Sequence, residues 1–176
     1  MTWIPSASQT VGPFFNFALI AEPCLGVLAR PGAEGERIRM RFRVVDGNGE
    51  PAATDALIEL WQADSRGRYG ETDSNFCGFG RLETDEAGMC TFETVKPGPV
   101  DGQAPHINVA VFARGLLKQL YTRVYFTGEP LNASDPILTL VPEHRRATLL
   151  ANQAGDDAWH FEIRLQGDAE TVFFDV

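Results

Sequence analysis

Ile38-Arg39-Met40-Arg41-Phe42-Arg43-Val44 alternates an apolar with a basic side chain at every step. That period of two belongs to a β-strand, whose successive side chains leave opposite faces. One face of this strand must therefore meet a core and the other water. Asp46-Gly47-Asn48-Gly49 follows and reads as a turn. Working outward, the same patterning recurs. Ala56–Ala63 carries Ile58, Leu60 and Trp61 as a second strand. Gly80–Thr84 and Met89–Val95 flank Asp85-Glu86-Ala87-Gly88 as a hairpin, which Lys96-Pro97-Gly98-Pro99 ends because proline cannot donate to a ladder. His106–Ala113 and Gln119–Phe126 are two more strands, and Trp159, Phe161, Ile163 and Leu165 mark a last one.

Between these strands, Asp64–Gly80 is rich in Gly, Ser, Asn and Asp and reads as a long loop. Pro142–Asn152 is the one stretch that reads as a helix, with proline in its first turn. Short strands at close spacing point to an all-β fold, an antiparallel β-sandwich with one short helix near the C-terminus. No linker or repeat divides the chain, so residues 1–176 are expected to form one domain. Ser6–Pro31 has weak periodicity and reads as an irregular arm, within an N-terminal region of residues 1–35. Its Phe14, Phe15 and Phe17 need a cover, supplied by the chain's own core or by a second chain.

Bulk properties narrow the function. With 15 Lys and Arg against 24 Asp and Glu, the 176-residue chain carries a formal charge of −9. Nucleic acid and anionic membranes are bound mainly through positive charge, so neither is an expected partner. The most apolar run, Val11–Ala29, is broken by Pro13, Asn16, Glu22 and Pro23. A membrane span needs about 20 mostly apolar residues, so none is expected here. The N-terminus lacks a basic region before an apolar stretch, which predicts a cytoplasmic protein. Cys24, Cys77 and Cys90 are odd in number and show no CxxC spacing, which predicts buried free thiols in a reducing compartment.

The chemistry-bearing residues are few. His106 and Asn108, at i and i+2 of one strand, leave on the same face, while Ile107, Val109 and Val111 pack the other way. A His-x-His strand would offer two imidazoles to one metal, but an amide is a poor ligand beside imidazole or phenolate. By itself His106 reads as a structural histidine. No glycine-rich phosphate loop and no GxSxG elbow is present.

Motifs spread along nearly the whole chain carry a resemblance. They include Ser8-Gln9-Thr10-Val11-Gly12-Pro13-Phe14, Glu59-Leu60-Trp61-Gln62-Ala63-Asp64 with Gly67 and Tyr69, and Phe79-Gly80-Arg81. Thr94-Val95-Lys96-Pro97-Gly98-Pro99, Pro105-His106-Ile107-Asn108 and Phe112-Ala113-Arg114-Gly115 follow. Thr122-Arg123-Val124-Tyr125-Phe126 and Glu170-Thr171-Val172-Phe173-Phe174-Asp175 complete the set. In this order they resemble the intradiol ring-cleavage dioxygenases, and among these the α type of chain in a two-chain enzyme.

The resemblance implies the following. Catalytic members bind non-haem Fe(III) through two tyrosines and two histidines, and a catechol-type substrate meets dioxygen there. In this chain the ligand positions fall on Tyr69, Val100, His106 and Asn108, so two of four survive as a degenerate remnant. An arginine that steadies the reacting ring is replaced by Gln103. No residue of this chain alone is then catalytic and it holds no metal. A homologous β chain binds the Fe(III), the pair assembling as αβ units in a larger oligomer that acts on protocatechuate and dioxygen. This chain completes the partner's site with substrate-binding Thr10, Gly12, Pro13 and Arg114, its arm packed on the β chain. Two other readings stand beside this one: a self-sufficient metal enzyme using Tyr69 and His106, and a non-enzymatic aromatic-binding or scaffold domain.

Overall fold

A computed structural model describes residues 6–12, 17–20, 23–52, 56–70 and 73–175. The alternation at 38–44 becomes β1 (Arg37–Val45), with Ile38, Met40, Phe42 and Val44 buried and the arginines turned outward. The other strands are β2 (Leu57–Gln62), β3 (Phe79–Glu83), β4 (Met89–Val95), β5 (His106–Phe112), β6 (Leu120–Phe126), β7 (Leu150–Gln153) and β8 (Ala158–Arg164). Hydrogen bonding runs in the order β3-β2-β5-β6-β7-β8-β1-β4. The β6–β7 link involves only Tyr125↔Leu150 and Phe126↔Ala151, so the sheet divides there into two halves. Their inner faces share one core, in which Phe42 stands edge-on to Phe92 and Phe161 with ring centroids 5.8 and 6.0 Å apart.

The sandwich expected from the patterning is therefore present, with two differences. First, β1 pairs in parallel with β8, and β6 in parallel with β7, while the remaining pairings between these strands are antiparallel. A parallel partner distant in sequence leaves no turn signal between the two strands. Second, the expected helix over Pro142–Asn152 is a 3-10 segment, Glu143–Leu149, and the chain then turns into β7 at Leu150. Pro142 lies outside the helical turns, at the N-cap with ψ 134°. Pairing of Leu150 with Tyr125 draws these residues into the sheet, and so few residues give little reward for α-helical bonds.

A buried polar link ties the halves together. Gln62 on β2 donates through Nε2 to the carbonyls of Ala63 (3.1 Å) and Val95 (3.0 Å), and Thr94 Oγ1 on β4 donates to Gln62 Oε1 (2.9 Å). A second, smaller apolar cluster of Ala104, Tyr125, Leu138, Val141 and Leu149 lies apart from the main core. The C-terminal segment bridges to β6 through Tyr121↔Phe174. Among the thiols, Cys90 is buried, and burial pushes it up to about 12. Cys77 is exposed, against expectation, because it sits on the loop before β3 rather than in a strand. Among the described residues no helix is long and apolar enough to cross a membrane.

Candidate functional site

The loop after β2 is shaped by Asp64, which is almost fully buried. Its carboxylate accepts from the backbone N–H groups of Arg66 and Arg68 and pairs with the Arg68 guanidinium at 2.7 Å. At Gly67 φ is +77°, and a Cβ there would run into the Pro99 carbonyl. Gly98 lies equally close, since a Cβ on it would meet Gly67 N and Ser65 O at 2.5 Å. These two glycines let the loop that carries Tyr69 lie against the segment that leads to Val100.

Tyr69 stacks on Trp61, with ring centroids 6.0 Å apart and planes 14° from parallel. Its hydroxyl accepts a hydrogen bond from Asn108 Nδ2 at 3.1 Å, and the same amide donates to the Trp61 carbonyl at 3.2 Å. His106 is almost fully buried two residues earlier on β5. Its Nδ1 lies 2.7 Å from the Ala104 carbonyl, which can only accept, so Nδ1 carries the proton and Nε2 is left with a lone pair. Burial, helped by the Arg123 charge, pushes the imidazole below its ordinary value. Burial pushes the Tyr69 phenol up, against the Asn108 hydrogen bond and the Arg123 charge, which pull it down.

Three further residues complete the site: Asp135, which no sequence motif names, and Tyr125 and Arg123, which stand within a quoted motif without a role in it. Asp135 is fully buried and accepts from Ala104 N (2.8 Å), Tyr125 Oη (3.1 Å), Ile137 N (2.9 Å) and Leu138 N (2.7 Å). It thus holds Ala104, whose carbonyl holds His106. Tyr125 tilts against the His106 ring at 5.9 Å, and burial pushes its phenol up to about 12. Arg123 faces Asn108 across the β5–β6 ladder and donates through Nη1 to Gln103 Oε1 at 2.6 Å. Gln103 closes a tight turn on Val100, with reciprocal backbone hydrogen bonds of 2.7 and 3.2 Å. That turn passes through Asp101 and Gly102, both at positive φ.

Asn108 thus meets Tyr69 and shares a strand face with His106, while Val100 is joined to this group only through Gln103 and Arg123; these residues do not suit a metal. A metal cage needs several lone pairs aimed at one point. Here Val100 offers no ligand atom, Asn108 turns its N–H toward Tyr69, and a guanidinium stands opposite. Among the described residues no group of three or more His, Cys, Asp or Glu could hold a metal ion.

The second group of sequence-derived residues lies on another edge. The Gly115 N–H donates to Thr10 Oγ1 at 2.7 Å across 105 residues of sequence. This fastens the arm beside Arg114, in the turn after β5, and Gln9 and Val11 line a small cavity there with Leu116 and Leu117. Thr10 and Arg114 are exposed, and Gly12 is half-buried with open space around its Cα. Pro13, Phe14 and Phe15 lie outside the described residues. Phe17 is 70% exposed, and Leu19 offers its carbonyl to Arg81 Nη1 at 3.2 Å.

Comparison with known proteins returns a family described as Dioxygenase, matched over residues 21–167. The chain is similar to a protocatechuate 3,4-dioxygenase alpha chain of Pseudomonas putida, with 41% identity covering 96% of this chain and 94% of that one. It is also similar to a protocatechuate 3,4-dioxygenase beta chain of Burkholderia cepacia, with 36% identity over 76% of this chain and 66% of that one. Among solved structures it resembles the dioxygenase domain of a dioxygenase–carbohydrate-binding fusion from Streptomyces sp. SirexAA-E. That match has a TM-score of 0.67 and 29% identity, covering 81% of this chain and 87% of that one.

Proposed function

The chain belongs to the intradiol ring-cleavage dioxygenase family, and from that membership we propose that it is the α subunit of a protocatechuate 3,4-dioxygenase. Its partner is a homologous β chain, the kind of chain to which it is also similar. In this reading the β chain holds the ferric iron. The pair cleaves protocatechuate between its two hydroxylated carbons and adds both atoms of dioxygen, which yields 3-carboxy-cis,cis-muconate.

The single observation that carries the reading is the pair Val100 and Asn108. By the family resemblance they stand at two of the four iron-ligand positions; Val100 has no ligand atom, and Asn108 donates its N–H to Tyr69. What this chain adds is a wall. Thr10, Gly12 and Pro13 of the arm, with Arg114, line the partner's substrate site. The hydrogen bond between Thr10 and Gly115 supports this, because it holds the arm and the Arg114 turn as one unit. A fixed guanidinium at position 114 favours the carboxylate of the substrate and the second carboxylate that forms on cleavage.

Co-expression with a β homologue tests the proposal. The isolated chain should be colourless, iron-poor and inactive, while the pair should consume dioxygen with protocatechuate. Arg114→Ala in the pair should raise KM about tenfold or more, the scale of one charge-assisted hydrogen bond. Stoichiometric iron in the isolated chain, or an Arg114→Ala pair with unchanged turnover and KM, contradicts it.

A further inference from the structure

The N-terminal arm is held at Thr10 by the Gly115 N–H. It is held again at Leu19, on β3, which stands at one end of the strand order. Arg81 leaves β3 on the same face as Phe79 and opposite Glu59 of β2. Its Nε donates to Glu59 Oε1 at 2.7 Å, and its Nη2 lies 2.7 Å from the same oxygen. The guanidinium carbon stands 5.1 Å from the centre of the Phe79 ring. Nη1 then donates to the Leu19 carbonyl at 3.2 Å, across 62 residues of sequence.

This is not a loose surface pair. The Arg81 and Glu59 side chains are only 21% and 22% exposed, so water screens them little and the planar fork is fixed on two sides. The other face of β3 is shaped for the arm as well. A Cβ on Gly80 would lie 2.8 Å from the Leu25 carbonyl oxygen, so only glycine lets the arm come that close. The arm thus meets β3 on both faces, through Arg81 on one and Gly80 on the other. An arm ordered beforehand does not have to be ordered when a partner docks, which removes that entropic cost from association.

We propose that Arg81 is a positioning residue, which latches the arm to β3 through the Leu19 carbonyl and so sets the geometry in which Thr10 and Gly12 meet the partner's substrate site. The second half of this statement rests on the subunit reading; the latch itself is a property of this chain. Arg81 touches no substrate and acts only through the arm. Glu59 and Phe79 serve it by holding the guanidinium in one orientation.

Chymotrypsin cleavage at Phe17, which is 70% exposed, reads how often the arm lifts from the sheet, because a protease needs a locally unfolded segment. Arg81→Lys keeps a cation for Glu59 but cannot fork to both acceptors. In the full chain it should speed this cleavage about tenfold, the scale of one charge-assisted hydrogen bond, without speeding cleavage in the strands. Glu59→Gln leaves Arg81 without its anchor and should act in the same direction; it serves if Arg81→Lys does not fold. In the αβ pair with protocatechuate, either variant should raise KM about fivefold and leave kcat within about twofold, a split that a merely structural role would not produce. Adding Thr10→Val should raise KM by less than the product of the separate effects, since both changes act through the arm. Unchanged cleavage, unchanged KM, or fully multiplicative effects overturn the proposal. An inactive wild-type pair would instead overturn the subunit reading, and cleavage of the chain without a partner would still decide the latch.

Discussion

His106 is a side chain whose geometry is set by two layers of hydrogen bonding. Its Nδ1–H is pinned by the Ala104 carbonyl, and Ala104 is pinned by Asp135, an arrangement of the kind that orients an imidazole for a metal. The ring is a buried neutral base. Its proton affinity is depressed in the fold, chiefly by burial. The unfolded chain therefore takes up the proton first as pH drops. Stability should be full above about pH 6.5 and fall as pH descends through the lower folded-state value. His106→Gln can still donate to Ala104 and does not titrate. Urea midpoints between pH 7 and 5 should decline more steeply for the wild type than for this variant. Equal slopes would show that the ring does not titrate as argued. The Arg123 charge adds to the same depression, after burial.

At the scale of elements, two halves of a sheet are joined by a short parallel seam and by one buried amide. Gln62 on β2 makes three hydrogen bonds, two of them to β4 residues on the facing half. Thr94→Val keeps the shape but leaves Gln62 Oε1 buried without its donor. That should cost about 1–3 kcal/mol in urea unfolding, the desolvation penalty of one unsatisfied acceptor. A loss below a few tenths would mean that the amide finds another donor. The strands themselves were legible because alternation is local: Met89–Val95 matches β4 end to end, and Ile38–Val44 lies within β1. β7 was not legible. It has four residues and takes its conformation from Tyr125, Phe126, Trp159 and His160 beside it. The apolar spacing of Leu149, Leu150 and Ala151 suits a helix equally well.

For the whole molecule, the exposed apolar side chains set the expectation. Phe17, Leu117 and Trp61 are 70%, 61% and 48% exposed, a costly arrangement for a chain that stays alone. With a β partner present, the thermal midpoint should rise with partner concentration, because a ligand that binds only the folded state stabilises it by mass action. Differential scanning at several stoichiometries reads this directly, and a midpoint indifferent to the partner would count against the obligate pairing. The arm belongs to the same scale. Thr10 and Arg114 lie 104 positions apart in sequence, and the Gly115–Thr10 hydrogen bond brings the arm beside the Arg114 turn.

By itself the sequence determined seven of the eight strands, the turns between them, and an aliphatic and an amide side chain at positions 100 and 108. All of these depend on residue identity and on spacings of a few residues. Only the tertiary structure decided what surrounds His106 and Asn108. Arg123 and Asp135 sit on segments remote from His106 in sequence, and nothing local ties them to it; Gln103 lies only three residues before it. The β5–β6 register sets Arg123 against Asn108, the turn at Asp101-Gly102 sets Gln103 beside it, and Asp135 fastens both Ala104 and Tyr125. A cation is placed by long-range pairing, so the polarity of the site is a property of the fold.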